Sequence, residues 1–174
     1  MSGVEPLHAL GLFTVSKRLE VYQVIIYEYI DADYYYASLQ EDLEALDEEL
    51  EALSRSMQSF LDQEEVVING ERVRPRVVGV DLSFRGSPDE PNITFFIFFK
   101  GRPRNGINYY ENIYEEEVTN YPYEVYWFLP PDSRVLEVEA SGNSEIIGNN
   151  IVVIRVEEGE RTSGYEKIVF ELRP

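Results

Sequence analysis

The chain has 174 residues, with 33 Asp and Glu against 15 Lys and Arg for a formal net charge of −18, and is 44 % hydrophobic and 13 % aromatic. That apolar content is enough for a packed core and excludes an acidic disordered chain, while the charge disfavours phosphate backbones and anionic lipid surfaces as partners. With no cysteine, disulfides, thiolate metal sites and cysteine nucleophiles are ruled out.

The charge is unevenly spread: residues 1–64 carry a net −11, residues 65–104 a net +2 and residues 105–174 a net −9. No apolar window reaches the roughly 18 residues of a membrane span, and residues 1–20 lack a cationic-then-apolar leader pattern. The sequence therefore reads as a single domain, cytoplasmic, binding neither membrane nor nucleic acid. Abundant Glu, absent Cys and two Met fit a heat-adapted source.

Residues 1–16 read as a mixed lead, with Pro6 and Gly11 interrupting any long element. His8, the one histidine, reads as a surface residue. Residues 17–30, rich in Val, Ile and Tyr, predict a strand, with an extension of the following helix as the alternative. Asp31 and Asp33 then read as helix-start residues, Asp33 as N-cap.

The strongest periodic signal follows. Tyr36, Leu39, Leu43, Leu46, Leu50, Leu53, Met57 and Phe60 are spaced alternately by three and four residues, an unbroken heptad seam. The spacing predicts one long amphipathic helix over about 34–62, within a segment 33–63, and these eight residues are the candidate interface. The seam faces either the protein's own sheet or another chain. Asp42, Asp47 and Glu49 flank it with acid, so two such helices would repel in either orientation.

Residues 65–174 predict a β-sandwich. Val66–Val73 is a hairpin with Asn69-Gly70 at its turn, the residue pair that a type I′ turn favours. Strands are expected at 76–85, with Val78, Val80, Leu82 and Phe84 sharing a face, and at 93–99, apolar on both faces. Further strands are expected near 107–118, 121–128, 134–140, 151–157 and 165–172, making about eight antiparallel strands joined by turns such as Pro130-Pro131-Asp132 and Gly148-Asn149-Asn150. Over residues 121–172, the order of these strands and turns resembles the immunoglobulin-like sandwich modules of prokaryotic surface and membrane-associated proteins. The resemblance implies a fold and no function. The fold class expected is α+β, a long acidic helix packed on or projecting from that sandwich.

Chemistry-bearing patterns are sparse. The sequence shows no Gly-x-Ser-x-Gly, phosphate loop or dinucleotide fingerprint, so no catalytic residue, cofactor or metal ligand is assigned and no enzyme is expected. Glu115 and Glu117 share a face if their segment is a strand, but a solvated acidic edge accounts for them. Tyrosine is abundant, and Tyr109, Tyr110, Tyr126 and Trp127 are candidates for a ligand platform. Arg72, Arg74, Arg76, Arg102 and Arg104 form a basic strip expected to meet the acidic helix of its own chain or of a neighbour. The function expected is a non-catalytic assembly or interaction module, self-associating into a homo-oligomer or binding a protein partner through the seam and an aromatic face. A small-ligand or carbohydrate-binding sandwich is the alternative.

Overall fold

The structure, a computed structural model, describes residues 3–173. The protein is mostly β, 53 % strand and 15 % helix. The elements described are β1 (Val4–Val15), β2 (Glu20–Asp31), α1 (Tyr35–Leu39), α2 (Leu43–Gln63), β3 (Glu65–Ile68), β4 (Glu71–Val73), β5 (Arg76–Phe84), β6 (Pro91–Lys100), β7 (Gly106–Ile113), β8 (Tyr123–Phe128), β9 (Arg134–Glu139), β10 (Asn143–Ile147), β11 (Ile151–Val156) and β12 (Tyr165–Leu172). The strands form a seven-stranded sheet, ordered β10-β11-β8-β1-β2-β6-β5, and a five-stranded sheet, ordered β4-β3-β7-β12-β9.

This overturns the α+β class built around one long helix. The 34–62 helix is broken: α1 is a single short turn, and α2 begins afresh at Leu43. The heptad spacing runs straight across the break, so periodicity alone could not reveal it. Local hydrogen bonding decides instead. The Asp42 carboxylate accepts from the Ala45 amide at 3.1 Å and caps α2, a role worth about 1 kcal/mol. Asp33 caps nothing; Tyr34, in the left-handed region at φ 56°, precedes α1, and the buried Asp31 carboxylate accepts from the Tyr36 amide at 2.9 Å.

The expected lead is also a strand. β1 pairs antiparallel with β2 along its whole length and parallel with β8, placing it at the centre of the larger sheet. Pro6 is accommodated at a register irregularity between Pro6 and His8, where a missing donor is tolerated. Residues 20–31 are strand, so the helix extension is excluded.

The hairpin at Asn69-Gly70 forms as its residues predict, with φ of 51° and 83° at the two positions. In β5 a bulge between Val77 and Gly79 shifts the alternation, turning Val78 out to solvent while Val77, Val80, Leu82 and Phe84 pack inward. β10 lies where a turn was expected. The strands of residues 121–172 are divided between the two sheets, β8, β10 and β11 in the larger and β9 and β12 in the smaller, and are completed by β1 and β7, so this stretch does not close on itself as a separate sandwich.

One face of the seven-stranded sheet carries two cores. Near one end Phe13, Val15, Val21, Phe99, Trp127, Val152 and Ile154 meet Val66, Ile68, Tyr110, Ile168 and Phe170 of the five-stranded sheet. Near the other end Ile93, Phe95 and Ile97 are covered by Tyr36, Leu39 and Leu61, with Leu46, Leu53 and Met57 packed beside them. The helices and the smaller sheet are thus two separate covers on one sheet face. The opposite face of the large sheet has no covering layer among the described residues.

Candidate ligand cleft

The gap between the two covers is a cleft of ≈ 560 Å³. Its floor is the large sheet, where Ala9 and Gly11 of β1 leave room that larger side chains would fill, flanked by Gln23, Ile25 and Tyr27 of β2 and Tyr123 and Val125 of β8. One wall is the inner face of the smaller sheet: Val66, Tyr110, Asn112 and Glu166. The other is the last turns of α2, with Met57, Phe60, Leu61 and Glu64. Tyr114, Glu115, Glu117, Tyr121 and Thr162 edge it from connecting segments. Those segments are pinned together: the Thr162 amide donates to the Glu117 carbonyl at 2.8 Å, and the Tyr114 amide to the Gly164 carbonyl at 3.0 Å.

Strand register sets the polar wall. Asn112 lies opposite both Glu166 on β12 and Val66 on β3, and one rung further in Tyr110 lies opposite Ile168 and Ile68. A carboxylate and an amide therefore project where the next rung projects core. The Asn112 Nδ2 donates to Glu64 Oε2 at 3.3 Å, but its Oδ1 has no partner. Glu166 Oε1 is sealed from solvent and also unpartnered. Trp127, 1 % exposed, directs its indole N–H towards the Glu166 carboxyl closely enough to favour its charge, without completing a hydrogen bond. Of the four buried side-chain polar atoms without a partner among the described residues, three are grouped here; the fourth is Asp31 Oδ1, beside α1.

Burial dominates the electrostatics. It pushes the Glu166 carboxyl up from 4.5 to about 7; the Trp127 N–H offsets part of the rise, and the Glu64 charge adds to it. Glu64 is raised by the same desolvation, partly opposed by its Asn112 hydrogen bond. Tyr27, Tyr110 and Tyr123 are pushed above their ordinary value chiefly by burial, with neighbouring Tyr and Glu groups contributing, so the phenols stay protonated. Beneath the wall Phe13 and Trp127 stack at 3.9 Å and 3°, with Tyr110 tilted 4.5 Å from the indole, a rigid aromatic base.

No family model and no curated protein matches the chain. The site is therefore read from its own geometry.

The residues singled out in the sequence are dispersed. Tyr109, Tyr110, Tyr126 and Trp127 form no platform, because successive strand residues face opposite sides. Tyr110 and Trp127 point inward, while Tyr126 lies on the outer face of the large sheet, donating to Glu124 at 3.0 Å. Tyr109 is on the outer side of the smaller sheet. The seam is likewise divided: Tyr36 and Leu39 are buried, Leu46, Leu53 and Met57 pack on the second core, Leu50 is half-buried, and Leu43 and Phe60 are 71 % and 62 % exposed.

Among the described residues the basic strip makes no ion pair with the acidic helix of its own chain. Arg102 pairs with Glu71 at 3.7 Å, Arg104 donates to the Asn69 carbonyl at 2.8 Å, and Arg72, Arg74 and Arg76 are exposed. The one ion pair of α2 among the described residues is its own Glu51–Arg55. Glu115 and Glu117 do reach the cleft, from an irregular segment rather than a strand. The residues that sequence reading missed, Glu64, Asn112 and Glu166, carried one usable signal. Glu166 is in phase with buried Ile168, Phe170 and Leu172, and Asn112 with buried Asn108 and Tyr110. Among the described residues, no helix is long and apolar enough to cross a membrane.

Proposed function

We propose that the chain is a non-catalytic binding protein whose cleft holds a small organic molecule. The grouping of unpartnered Asn112 Oδ1 and Glu166 Oε1 on one wall of the cleft, with the unpartnered Trp127 Nε1 beneath Glu166, carries the reading. Buried polar groups are hydrogen-bonded in folded proteins, and each one left unmade costs about 1–3 kcal/mol. A ligand that supplies those partners offsets the cost. The volume, the apolar and aromatic lining and the few convergent polar groups are those of small-molecule sites. Trp127 is the sole tryptophan, so its fluorescence reports on the wall without ambiguity. A panel of amines, sugars and carboxylic acids is expected to contain one class that changes this emission and raises the melting temperature. A flat response to every class contradicts the reading.

Assembly is a second reading, favoured by the uncovered outer face of the large sheet. There Tyr22 and Phe96 are 58 % and 41 % exposed, and the Tyr22 and Phe98 rings meet at 5.1 Å. The seven strands of that sheet, about 4.8 Å apart and on average about 25 Å long, offer roughly 800 Å² of surface, matching the ~800 Å² per partner of a stable dimer, so a second copy is the occupant that fits. Light scattering should then find a dimer that Phe96→Lys converts to monomer. A monomeric wild type removes this reading.

A further inference from the structure

The polarity of the cleft narrows its ligand. Glu64, Glu115, Glu117 and Glu166 line it, the Glu124 carboxylate being turned to the outer face of the sheet beside Tyr126, and among the described residues no Lys, Arg or His side chain does. Two of the three unpartnered atoms, Asn112 Oδ1 and Glu166 Oε1, are acceptors; the third, the Trp127 N–H, already faces the Glu166 carboxyl. What the wall lacks is therefore a donor, and a positively charged one suits two desolvated carboxyl groups best. Among the described residues no three acidic or histidine side chains converge closely enough to hold a metal ion. The neighbouring surface is instead that of tyrosine rings and methyl groups, which suit the carbon body of an organic cation.

We infer that the cleft binds an organic ammonium ion, the Glu166 carboxylate and the Asn112 amide oxygen turning towards it from their sealed positions to accept its N–H groups, and its hydrocarbon body lying among Tyr27, Tyr110 and Tyr123. This rests on the reading of the cleft as a ligand site. The half-protonated state expected of Glu166 near neutrality adds a signature: binding an ammonium draws that carboxyl into its charged form and releases a proton. The titratable groups facing it are Glu64, Tyr110, Tyr114 and Tyr123, the phenols remaining neutral across this range, and Trp127 contributes its N–H.

The test is calorimetric titration of the full chain with putrescine, spermidine and n-butylamine, beside n-butanol, glucose and butyrate, at moderate salt. Amines are expected to bind while the neutral and anionic probes do not. Affinity should rise severalfold from pH 6 to pH 8, and titration at pH 7 in two buffers of different ionisation heat should show proton release. Glu166→Gln, which keeps the shape of the side chain, should weaken amine binding by tenfold or more. Binding of n-butanol, glucose or butyrate in preference to amines overturns the ammonium assignment but keeps the cleft as a ligand site. Amine binding that Glu166→Gln leaves unchanged, without proton release, overturns it as well, because the general negative charge of the chain would then explain it. Silence from all probes removes both the assignment and the reading beneath it.

Discussion

Asn108 and Asn112 stand two rungs apart on one face of β7, and their surroundings are opposite. The Asn108 Oδ1 accepts from the Arg104 amide and from Asn69 Nδ2, both at 2.8 Å, and its Nδ2 donates to the carbonyls of Arg104 at 2.9 Å and Gly106 at 3.0 Å. Asn69 completes the set, donating to the Arg102 carbonyl and accepting from the Tyr109 amide, each at 2.9 Å. Every polar atom of that buried pair is used, and the 101–106 connection is held in place by it. Asn112 has one long hydrogen bond and an idle oxygen, beside a carboxyl in the same condition. The same residue type on the same strand is structural in one place and, on our reading, kept open for a ligand in the other. What separates them is whether the chain itself supplies the partners.

The contrast can be broken by mutation. Asn108→Ala strands the Asn69 amide and the Arg104 backbone in a dry site, and should cost about 3 kcal/mol, lowering the melting temperature by roughly 6–12 °C. A fall below about 2 °C would show that the network is replaceable by water.

Glu166 should make stability depend on pH. Its folded pKa, about 7, lies above the ordinary 4.5, so the folded state holds the extra proton between those values. Stability is then lost as pH rises through that window, by at most about 3 kcal/mol, and less in so far as solvent reaches the side chain. Glu166→Gln should flatten the loss and be more stable than wild type at pH 8; parallel melting curves from pH 5 to pH 8 for both proteins would contradict this. Asn112→Val should alter stability by no more than about 1 kcal/mol, since it removes one long hydrogen bond along with one unmet acceptor, yet it should remove ligand binding. The smallest change belongs to Leu43→Ser, within about 0.5 kcal/mol by denaturant unfolding, because that seam residue is in solvent.

Local chemistry was the legible part of this sequence. Asn69-Gly70 specified its turn through positive φ, and most strands from 76 to 172 were bounded by their Gly, Pro and Asn turns, β10 being unexpected and the strand expected over 107–118 ending at Ile113. The long helix was misread because the interval from Tyr36 to Leu43 keeps heptad spacing while Asp42 caps a new helix, an event that periodicity does not register. β1 was missed because Pro6 and Gly11 look like breakers, yet one sits at an irregular register and the other keeps the cleft floor open. The cleft itself depends on long-range register, β7 against β3 and β12 and β1 against β8, which no local window contains. Glu166 in phase with Ile168 and Phe170 was its one visible trace.

The most direct test of the central claim, that the wall of Asn112 and Glu166 is kept open for a ligand, is a high-resolution crystal structure of the protein soaked with the probe that titration selects. The account predicts that probe in the cleft, with a donor within hydrogen-bond distance of both Asn112 Oδ1 and Glu166 Oε1. A cleft closed by Glu166 bonding directly to Asn112, with the probe elsewhere or absent, would contradict it.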